Sequence, residues 1–250
     1  MQQEVRPRPA ATTMLLRPNP GGFEVFMARR NSQSSNLPDV YVFPGGAVDT
    51  SDSGNAVTAR LAGREKHGDL APFAVAAIRE LFEEAGVLLA HERDGSPLDL
   101  DTDPSRRDQL LTARAETYAG RRTFLEVIEL LSLNLDGNAL VRFSHWITPL
   151  ALPRRFDTHF FVAAAPEGQH AIADAVELHD GIWSTPADAL LMFERGEIAL
   201  IFPTIKHLER LTRFATVDDV ISAARSAPIE TILPDLDDEG RIVFAHATTW

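Results

Sequence analysis

Apolar residues recur at helical spacing in the stretch from Phe73 to Leu89. At about 100° per residue, one side of a helix over this stretch gathers these apolar residues: Ala74, Ala77, Ile78, Leu81, Phe82 and Ala85. Pro72 stands near the first turn, where a missing N–H costs little, and Gly86 stands where a helix can end in a left-handed residue. The pattern predicts an amphipathic helix with one buried side.

Other apolar runs predict strands and further helices. Residues 11–16 and 23–28 flank a proline- and glycine-rich turn at 18–22, which predicts a β-hairpin. A second hairpin is predicted within 175–183, around the turn His179-Asp180-Gly181. Strands are also predicted at 140–147 and 160–163, a late strand or extended arm at 242–245, and helices at 56–61, 106–118, 123–133, 186–193, 202–214 and 217–224.

The composition is that of an ordinary globular protein, with 44% apolar and 24% charged residues in a chain of 250, enough for one large domain. Zero cysteines exclude disulfides, thiolate zinc sites and cysteine nucleophiles, and fit a cytoplasmic location. A net charge of −12 argues against a nucleic-acid partner and favours a small anionic substrate that binds together with a metal ion. We expect no export and no membrane partner, because neither a secretory signal nor an apolar run of about 18 residues is present.

Three glutamates, Glu80, Glu83 and Glu84, fall on one arc of the predicted helix. Like charges at this spacing destabilise a helix by about 0.2–0.5 kcal/mol per pair. One interpretation is a solvated acidic surface, and the other is a divalent cation bound by the carboxylate oxygens. The upstream turn Pro44-Gly45-Gly46 favours the cation, because glycines let the backbone approach a ligand closely.

The segment from Arg79 to Val87 reads Arg-Glu-Leu-Phe-Glu-Glu-Ala-Gly-Val, and it resembles the second half of the Nudix box at every specified position. That box is Gly, five residues, Glu, seven residues, then Arg-Glu-aliphatic-any-Glu-Glu-any-Gly-aliphatic. Here Gly46 precedes Arg79 by 33 positions (79 − 46) where the family has 14, so 50–71 is an insertion of about 19 residues. The first box glutamate, which orients the arginine, has no clear counterpart, although Asp52 lies at the correct distance from Gly46.

The resemblance extends to one branch of the Nudix family over roughly residues 8 to 226. Its further matches are Arg8 to Thr12, Val42 to Gly46, Arg154 to Phe161, and Glu177 with Trp183 six residues later. These segments are similar to the acyl-CoA diphosphatases of peroxisomes and their bacterial relatives. The resemblance implies an α+β Nudix fold, an α/β/α sandwich with a mixed β-sheet and with inserted and C-terminal helices.

The same resemblance implies an activity and its cofactor. The expected reaction is hydrolysis of a nucleoside diphosphate linked to another moiety, with CoA or acyl-CoA giving 3′,5′-ADP and (acyl) 4′-phosphopantetheine. The expected cofactor is Mg²⁺ or Mn²⁺, since hard cations neutralise a diphosphate and activate water. Alternatives are hydrolysis of ADP-ribose, NADH or another dinucleotide, and a ligand sensor without catalysis.

Family positions assign roles to the box residues and to Glu177, whereas charge and expected position suggest the substrate-binding candidates. The expected metal ligands are Glu80, Glu83, Glu84 and the carbonyl of Gly45, and the expected catalytic residues are these three glutamates with Glu177. Arg79 is expected to fix the carboxylate rotamers. Substrate-binding candidates are Arg30, Arg154, Arg155 and Asp157; Asp157 and His159 also compete with Glu177 for the distal role. For Arg29 and Arg30 the favoured interpretation is a solvated strand end, and Glu177 has the alternative interpretation of an exposed hairpin residue.

The expected domain organisation is an N-terminal tail at 1–9, one Nudix domain at 10–233 and a C-terminal extension at 234–250. Within that domain, 50–71 interrupts the box and 104–133 forms a helical insertion. The box insertion is expected either beside the metal site, as a lid or specificity loop, or as a surface excursion. The expected partners are a small nucleotide substrate and a second copy of the chain, since homodimers are the commonest symmetric assembly.

Overall fold

The computed structural model describes residues 5–33, 37–173 and 177–244. The helices in these ranges are α1 (Asn55–Thr58), α2 (Arg64–His67), α3 (Ala71–Ala85), α4 (Pro104–Tyr118), α5 (Phe124–Leu130), α6 (Pro186–Glu194), α7 (Phe202–Leu211) and α8 (Val217–Ser226), with 3₁₀ turns at Thr50–Ser53 and Gly68–Leu70. The strands are β1 (Arg8–Asn19), β2 (Gly22–Arg30), β3 (Tyr41–Val42), β4 (Gly45–Ala47), β5 (Leu61–Ala62), β6 (Ala90–Glu92), β7 (Leu133–Asp136), β8 (Val141–Ile147), β9 (Phe156–Ala164), β10 (Leu178–Ser184), β11 (Thr231–Ile232), β12 (Asp235–Leu236) and β13 (Ile242–Val243).

One mixed sheet carries the fold, in the order β10-β2-β1-β9-β8-β11. The pairs β1–β9 and β8–β11 are parallel and the other pairs on this path are antiparallel. Strands β3 and β4 branch from the sheet, because β3 pairs with β2 and β4 pairs with β1.

Each face of the sheet is covered by an apolar core. Along β1, Ala11 and Leu15 face the core that contains α3, whereas Met14 and Leu16 face the core that contains α7 and α8. This alternation is what a strand buried on both faces requires. The predicted α/β/α sandwich with a mixed sheet is therefore confirmed.

The central helix follows its apolar pattern closely. All six residues of the predicted buried side are at most 1% exposed. Pro72 lies in the first turn, and Gly86 ends the helix with φ +70°, a left-handed conformation that favours glycine. Helix α3 therefore has a fixed start, a fixed end and one fixed buried face.

The first predicted hairpin is confirmed, with Asn19 paired with Gly22 across the turn. The second is wrong: β10 is a single strand, and both of its halves pair with β2. A β-bulge between His179 and Ile182 accommodates Asp180, whose φ is +45°, so the Asp-Gly pair serves a bulge and not a turn. The part of this prediction that fell on 174–176 lies outside the described residues.

Several predicted helices end earlier than expected because strands follow them. The helix predicted at 56–61 stops at Thr58, since Leu61 pairs with Leu135 of β7. The helix predicted at 123–133 stops at Leu130, since β7 starts at Leu133. The predicted late strand at 242 and 243 is present and pairs with β12, while 245 lies outside the described residues. No helix in the described part of the chain is both long and apolar enough to cross a membrane.

The box insertion packs against the body of the domain. It pairs as β5 with β7, Lys66 donates to the Asn138 side chain at 2.5 Å, and the imidazole of His67 lies 2.8 Å from the carbonyl oxygen of Gly137. The insertion is thus docked on the β7–β8 loop by both strand pairing and side chains.

His207 of α7 is fully buried among aromatic rings, including Phe160 at 4.1 Å. Its Nδ1 lies 2.6 Å from the carbonyl oxygen of Pro203 and its Nε2 lies 2.7 Å from the hydroxyl of Ser144. Because a carbonyl only accepts, Nδ1 donates to Pro203 and Nε2 accepts from the hydroxyl. Burial lowers the pKa of His207 to about 3.

Replacing His207 with glutamine is expected to make the folded state less sensitive to acid. The unfolded chain protonates this imidazole near pH 6.5 and the folded chain only near pH 3, so falling pH favours unfolding of the wild type. The stability difference between wild type and His207→Gln should shrink by about 1.4 kcal/mol per pH unit below pH 6. Denaturant unfolding at pH 4 to 7 measures this, with the exposed His170→Gln as control. Parallel pH profiles for wild type and His207→Gln would contradict a buried neutral imidazole.

Candidate functional site

The glycine turn and α3 meet closely enough to bring backbone against carboxylates. The amide N–H of Gly45 donates to Oε2 of Glu84 at 2.7 Å. A Cβ placed on Gly46 would lie 2.5 Å from Oε1 of Glu80, so a side chain at this position would displace that carboxylate. The two glycines therefore set the distance between β4 and the acidic face of the helix.

Arg79 connects the box carboxylates to the insertion. Its Nε and Nη2 donate to the two carboxylate oxygens of Asp52, each at 2.9 Å, and Nη1 donates to Glu80 at 2.8 Å and Glu83 at 3.0 Å. Nη2 also donates to the carbonyl oxygen of Ala47 at 3.0 Å. Asp52 is 1% exposed, and its Oδ2 also accepts the amide of Asp49 in a capping box. Asp52 thus orients Arg79. In the family pattern this role belongs to the first glutamate of the box.

The interpretation of the acidic face as solvated surface is wrong. Glu80 is 9% exposed and Glu84 is 5% exposed. Burial raises the pKa of Glu80 to about 7, although the charge of Arg79 acts in the opposite direction. Burial and the charge of Glu80 raise the pKa of Glu84 well above its usual value, and burial also raises the pKa of Glu83. These carboxylates are held together at a cost in free energy.

Charge balance indicates what the site can bind. The carboxyls of Asp52, Glu80, Glu83 and Glu84 outnumber the guanidinium groups of Arg79 and Arg30 by four to two, and the raised pKa values of Glu80, Glu83 and Glu84 mean that these two arginines do not balance the charge of the fully ionised group. Carboxylate oxygens on one helix face are the donor set of a hard divalent cation. The residues present therefore fit Mg²⁺ or Mn²⁺, with Glu80, Glu83 and Glu84 as the side chains that would hold it.

Arg30 lies at the end of β2, close enough to Glu84 for its charge to lower the pKa of that carboxyl. Its Nε is buried and has no hydrogen-bond partner among the described residues. Arg29 is oriented differently, because it donates to Asp180 at 2.5 and 3.0 Å and to Asp39 at 2.9 Å. Arg29 therefore matches the interpretation as a solvated strand end, whereas Arg30 faces the carboxylates.

Glu177 comes close to the acidic face from the sheet side. It precedes β10, and its carbonyl oxygen accepts the amide of Asn31 at 2.9 Å. The charge of Glu177 contributes to the raised pKa of Glu80, Glu83 and Glu84. Glu177 is exposed, so its carboxylate has direct access to water.

The other substrate-binding candidates lie apart from the box glutamates. Arg155 is 4% exposed and donates to the carbonyl oxygens of Thr148 and Val5, contacts that tie the loop before β9 to the chain ahead of β1. Arg154 is exposed on the same loop. Asp157 and His159 cluster with His145, on β8 and β9. Binding of substrate by Arg154, Arg155 and Asp157 stays a prediction. The hydrogen bonds described above do not support it.

Sequence reasoning missed His145 and Arg142, although it placed the strand that carries them. His145 pairs with His159 in the β8–β9 register, and Nε of Arg142 donates to Nδ1 of His159 at 3.1 Å. Two histidines on strands predicted independently could have been compared as cross-strand partners. The strand pairing needed for that comparison was not readable from either segment alone.

Comparisons with known proteins find related sequences. Residues 62–211 match the family model described as the NUDT19 Nudix domain. The chain is 29% identical to the acyl-coenzyme A diphosphatase NUDT19 of Gallus gallus, covering 80% of this chain and 64% of that one. It is 30% identical to the Homo sapiens protein of the same name, with 85% and 67% covered. The chain thus spans about two thirds of the length of these curated relatives.

A solved structure resembles the whole fold. The crystal structure of a Nudix hydrolase from Alicyclobacillus acidocaldarius is 27% identical, with a TM-score of 0.72. The match covers 90% of this chain and 99% of that one. The sheet, the central helix and the additional helices therefore recur together in another protein.

Proposed function

The chain belongs to the NUDT19 Nudix domain family, and from this premise we propose that it hydrolyses the diphosphate of CoA or acyl-CoA. The products would be 3′,5′-ADP and (acyl) 4′-phosphopantetheine. The observation that carries this proposal is the cluster of buried carboxyls with raised pKa values on α3, in a chain whose curated relatives are named acyl-coenzyme A diphosphatases.

The proposed reaction breaks one P–O bond of the diphosphate bridge and forms one P–O bond to the oxygen of water. When bound, Mg²⁺ or Mn²⁺ supplies charge neutralisation of the diphosphate and a lowered pKa of coordinated water. Glu80, Glu83 and Glu84 hold the ion in this proposal, with the Gly45 carbonyl as a further ligand. Glu177 takes the proton of the attacking water, because it is exposed yet close to the three glutamates.

Two arginines have separate parts in the proposal. Arg79 keeps the carboxylate rotamers fixed through its hydrogen bonds to Asp52, Glu80 and Glu83. Arg30 contacts a phosphate oxygen of the substrate, which would give its buried Nε the acceptor that the described residues do not provide. A planar guanidinium suits phosphate because its donors form a fixed fork.

The proposed function is tested by incubating the protein and Mg²⁺ with CoA, an acyl-CoA, ADP-ribose and NADH, and separating the products by chromatography. We expect 3′,5′-ADP from CoA or acyl-CoA. The variant Glu84→Gln is the negative control and should give no detectable product. Turnover of ADP-ribose or NADH alone would replace the CoA proposal with a dinucleotide-type hydrolase. Binding without turnover of any compound would identify a ligand sensor.

Replacing Glu177 with glutamine is expected to lower kcat by about 100-fold or more, because the amide cannot accept a proton. The free energy of unfolding should change by less than about 0.5 kcal/mol, since the side chain is exposed. Steady-state kinetics and denaturant unfolding measure the two effects, with the exposed Glu167→Gln as control. An unchanged kcat would show that Glu177 takes no part in the mechanism.

We propose a cytoplasmic homodimer as the working form. Zero cysteines suit a reducing compartment, and two-fold dimers are the commonest symmetric assembly. Light scattering after size-exclusion chromatography measures the mass directly. A single-chain mass of 27.5 kDa across the concentration range would refute the dimer.

A further inference from the structure

A cluster of metal-binding side chains lies on β8 and β9, outside the acidic site. His145 and His159 are directly paired across the two antiparallel strands, and Asp157 precedes His159 by two residues on the same strand face. One potential ligand atom from each of the three lies within 4.8 Å of the others. The two imidazole rings are parallel within 3°, with centroids 4.1 Å apart. Strand pairing therefore holds three different donors at one place.

The cluster shares a sheet face with α3 but is separate from its carboxylates. Phe73 of α3 packs edge-on against His159 at 4.5 Å. In the strand register Gly46 pairs with Ala11, and Ala11 pairs with His159. Two strand spacings therefore separate Gly46 from His159, which is about 10 Å of backbone. The ligand atoms that lie within 4.8 Å of one another on β8 and β9 include none from Glu80, Glu83 or Glu84.

The donor types select a different class of ion from that of the acidic site. Two imidazoles and a carboxylate suit a borderline cation such as Zn²⁺, whereas Mg²⁺ prefers oxygen donors alone. Nδ1 of His159 accepts a hydrogen bond from Nε of Arg142 at 3.1 Å, so an ion bound at this nitrogen would displace the guanidinium. Nδ1 of His145 lies 2.8 Å from Oγ1 of Thr231, an outer partner of the kind that orients metal-bound imidazoles.

We propose that His145, Asp157 and His159 form a binding site for a borderline divalent cation of the Zn²⁺ type, separate from the acidic site on α3. Ligands about 2.1 Å from a tetrahedral ion lie roughly 3.4 Å from each other. Nε2 of His145 lies 2.5 Å from Oδ1 of Asp157, so this distance must increase when an ion binds. The distances from these two atoms to the ligand nitrogen of His159 must adjust to the same value of about 3.4 Å. The two imidazoles must also rotate out of their parallel stack, because their nitrogen lone pairs lie in parallel planes and do not converge on one ion as they stand.

Arg142 opposes the ion and therefore controls its affinity. Its guanidinium donates to Nδ1 of His159 and places a positive charge beside the site. A cation must compete with this charge, and replacing Arg142 with methionine should tighten binding by about tenfold. The ion would join β8 to β9 and, through Thr231, would favour the pairing of β11 with β8.

The test uses the full chain carrying Glu84→Gln, which weakens the acidic site, and calorimetric titration with Zn²⁺. We expect one ion per chain, with binding weakened more than tenfold by His145→Asn and by Asp157→Asn in that background. The exposed His170→Asn is the matched control and should leave the affinity unchanged. Circular dichroism confirms that each variant is folded before titration.

Cobalt absorption provides a second measurement that does not depend on the variants. Co²⁺ bound by imidazoles in a four-coordinate site absorbs strongly in the visible range, whereas Co²⁺ in an all-oxygen octahedral site absorbs weakly. We expect the strong band in Glu84→Gln, and its loss on addition of equimolar Zn²⁺. Absence of Zn²⁺ binding, or binding that survives both His145→Asn and Asp157→Asn unchanged, would overturn the proposal.

Discussion

Replacing Glu84 with glutamine is expected to lower metal-dependent hydrolysis by about a thousandfold or more while the fold remains intact. The charged carboxylate is one of three that would hold the metal ion, whose contribution to the transition state is several kcal/mol. Glutamine keeps a side-chain oxygen that can accept the amide of Gly45, so the contact between α3 and β4 is retained. The variant also removes a buried carboxyl whose ionisation burial opposes, which should leave the metal-free protein at least as stable as the wild type.

Thermal unfolding distinguishes loss of the metal site from loss of the fold. Mg²⁺ should raise the Tm of the wild type, because it binds the folded state alone, and should raise the Tm of Glu84→Gln far less. The matched control is Glu65→Gln, which changes an exposed glutamate of α2 and should behave as wild type in both assays. Wild-type turnover by Glu84→Gln, or an equal rise in Tm with Mg²⁺, would remove Glu84 from the metal site.

The acidic face was predictable because its residues are close in sequence. Spacings of three and four residues place Glu80, Glu83 and Glu84 on one arc of any helix, whatever surrounds it. The same local pattern could not give their burial, which depends on β4 and on Arg30 arriving from other parts of the chain. Sequence therefore predicted the set of candidate oxygen donors, and the structure added their burial and the raised pKa values that burial causes.

The features that sequence reasoning missed or misassigned depend on contacts between distant segments. The Asp-Gly pair at 180 and 181 is typical of a hairpin turn, but pairing of both flanks with β2 converts it into a bulge. His145 and His159 become neighbours only through the β8–β9 register. Helix ends at Thr58 and Leu130 likewise depend on where β7 lies. In each case local propensity was overridden by strand pairing.

Asp52 shows the same limit inside the Nudix box itself. The spacing from Gly46 matched the family pattern, but aspartate is one methylene shorter than the usual glutamate. The chain compensates with the 3₁₀ turn at Thr50–Ser53, which is capped by Asp49 and brings Asp52 against Arg79. The first residues of the insertion are therefore part of the site, while its later residues dock on the β7–β8 loop.

Replacing Asp52 with asparagine is expected to destabilise the fold by about 2–4 kcal/mol and to reduce kcat a further 10- to 100-fold in the protein that remains folded. Asparagine presents an N–H where Arg79 or the Asp49 amide requires an acceptor, so at least one buried donor loses its partner. Arg79 would then lose part of its pairing with residue 52, would be held mainly by Glu80, Glu83 and the Ala47 carbonyl, and would pull the two carboxylates from the positions that a metal ion needs.

Two further variants separate positioning by Asp52 from a simple loss of stability. Asp52→Glu retains the charge that pairs with Arg79, so it should recover a larger share of kcat than of stability, because the longer side chain strains the capped turn at Thr50–Ser53. Asp69→Asn, at an exposed position of the same insertion, should change neither quantity. Kinetics below the unfolding transition and denaturant melts measure both effects. If Asp52→Asn lost stability but kept wild-type kcat, Asp52 would support the fold without orienting the metal-binding carboxylates.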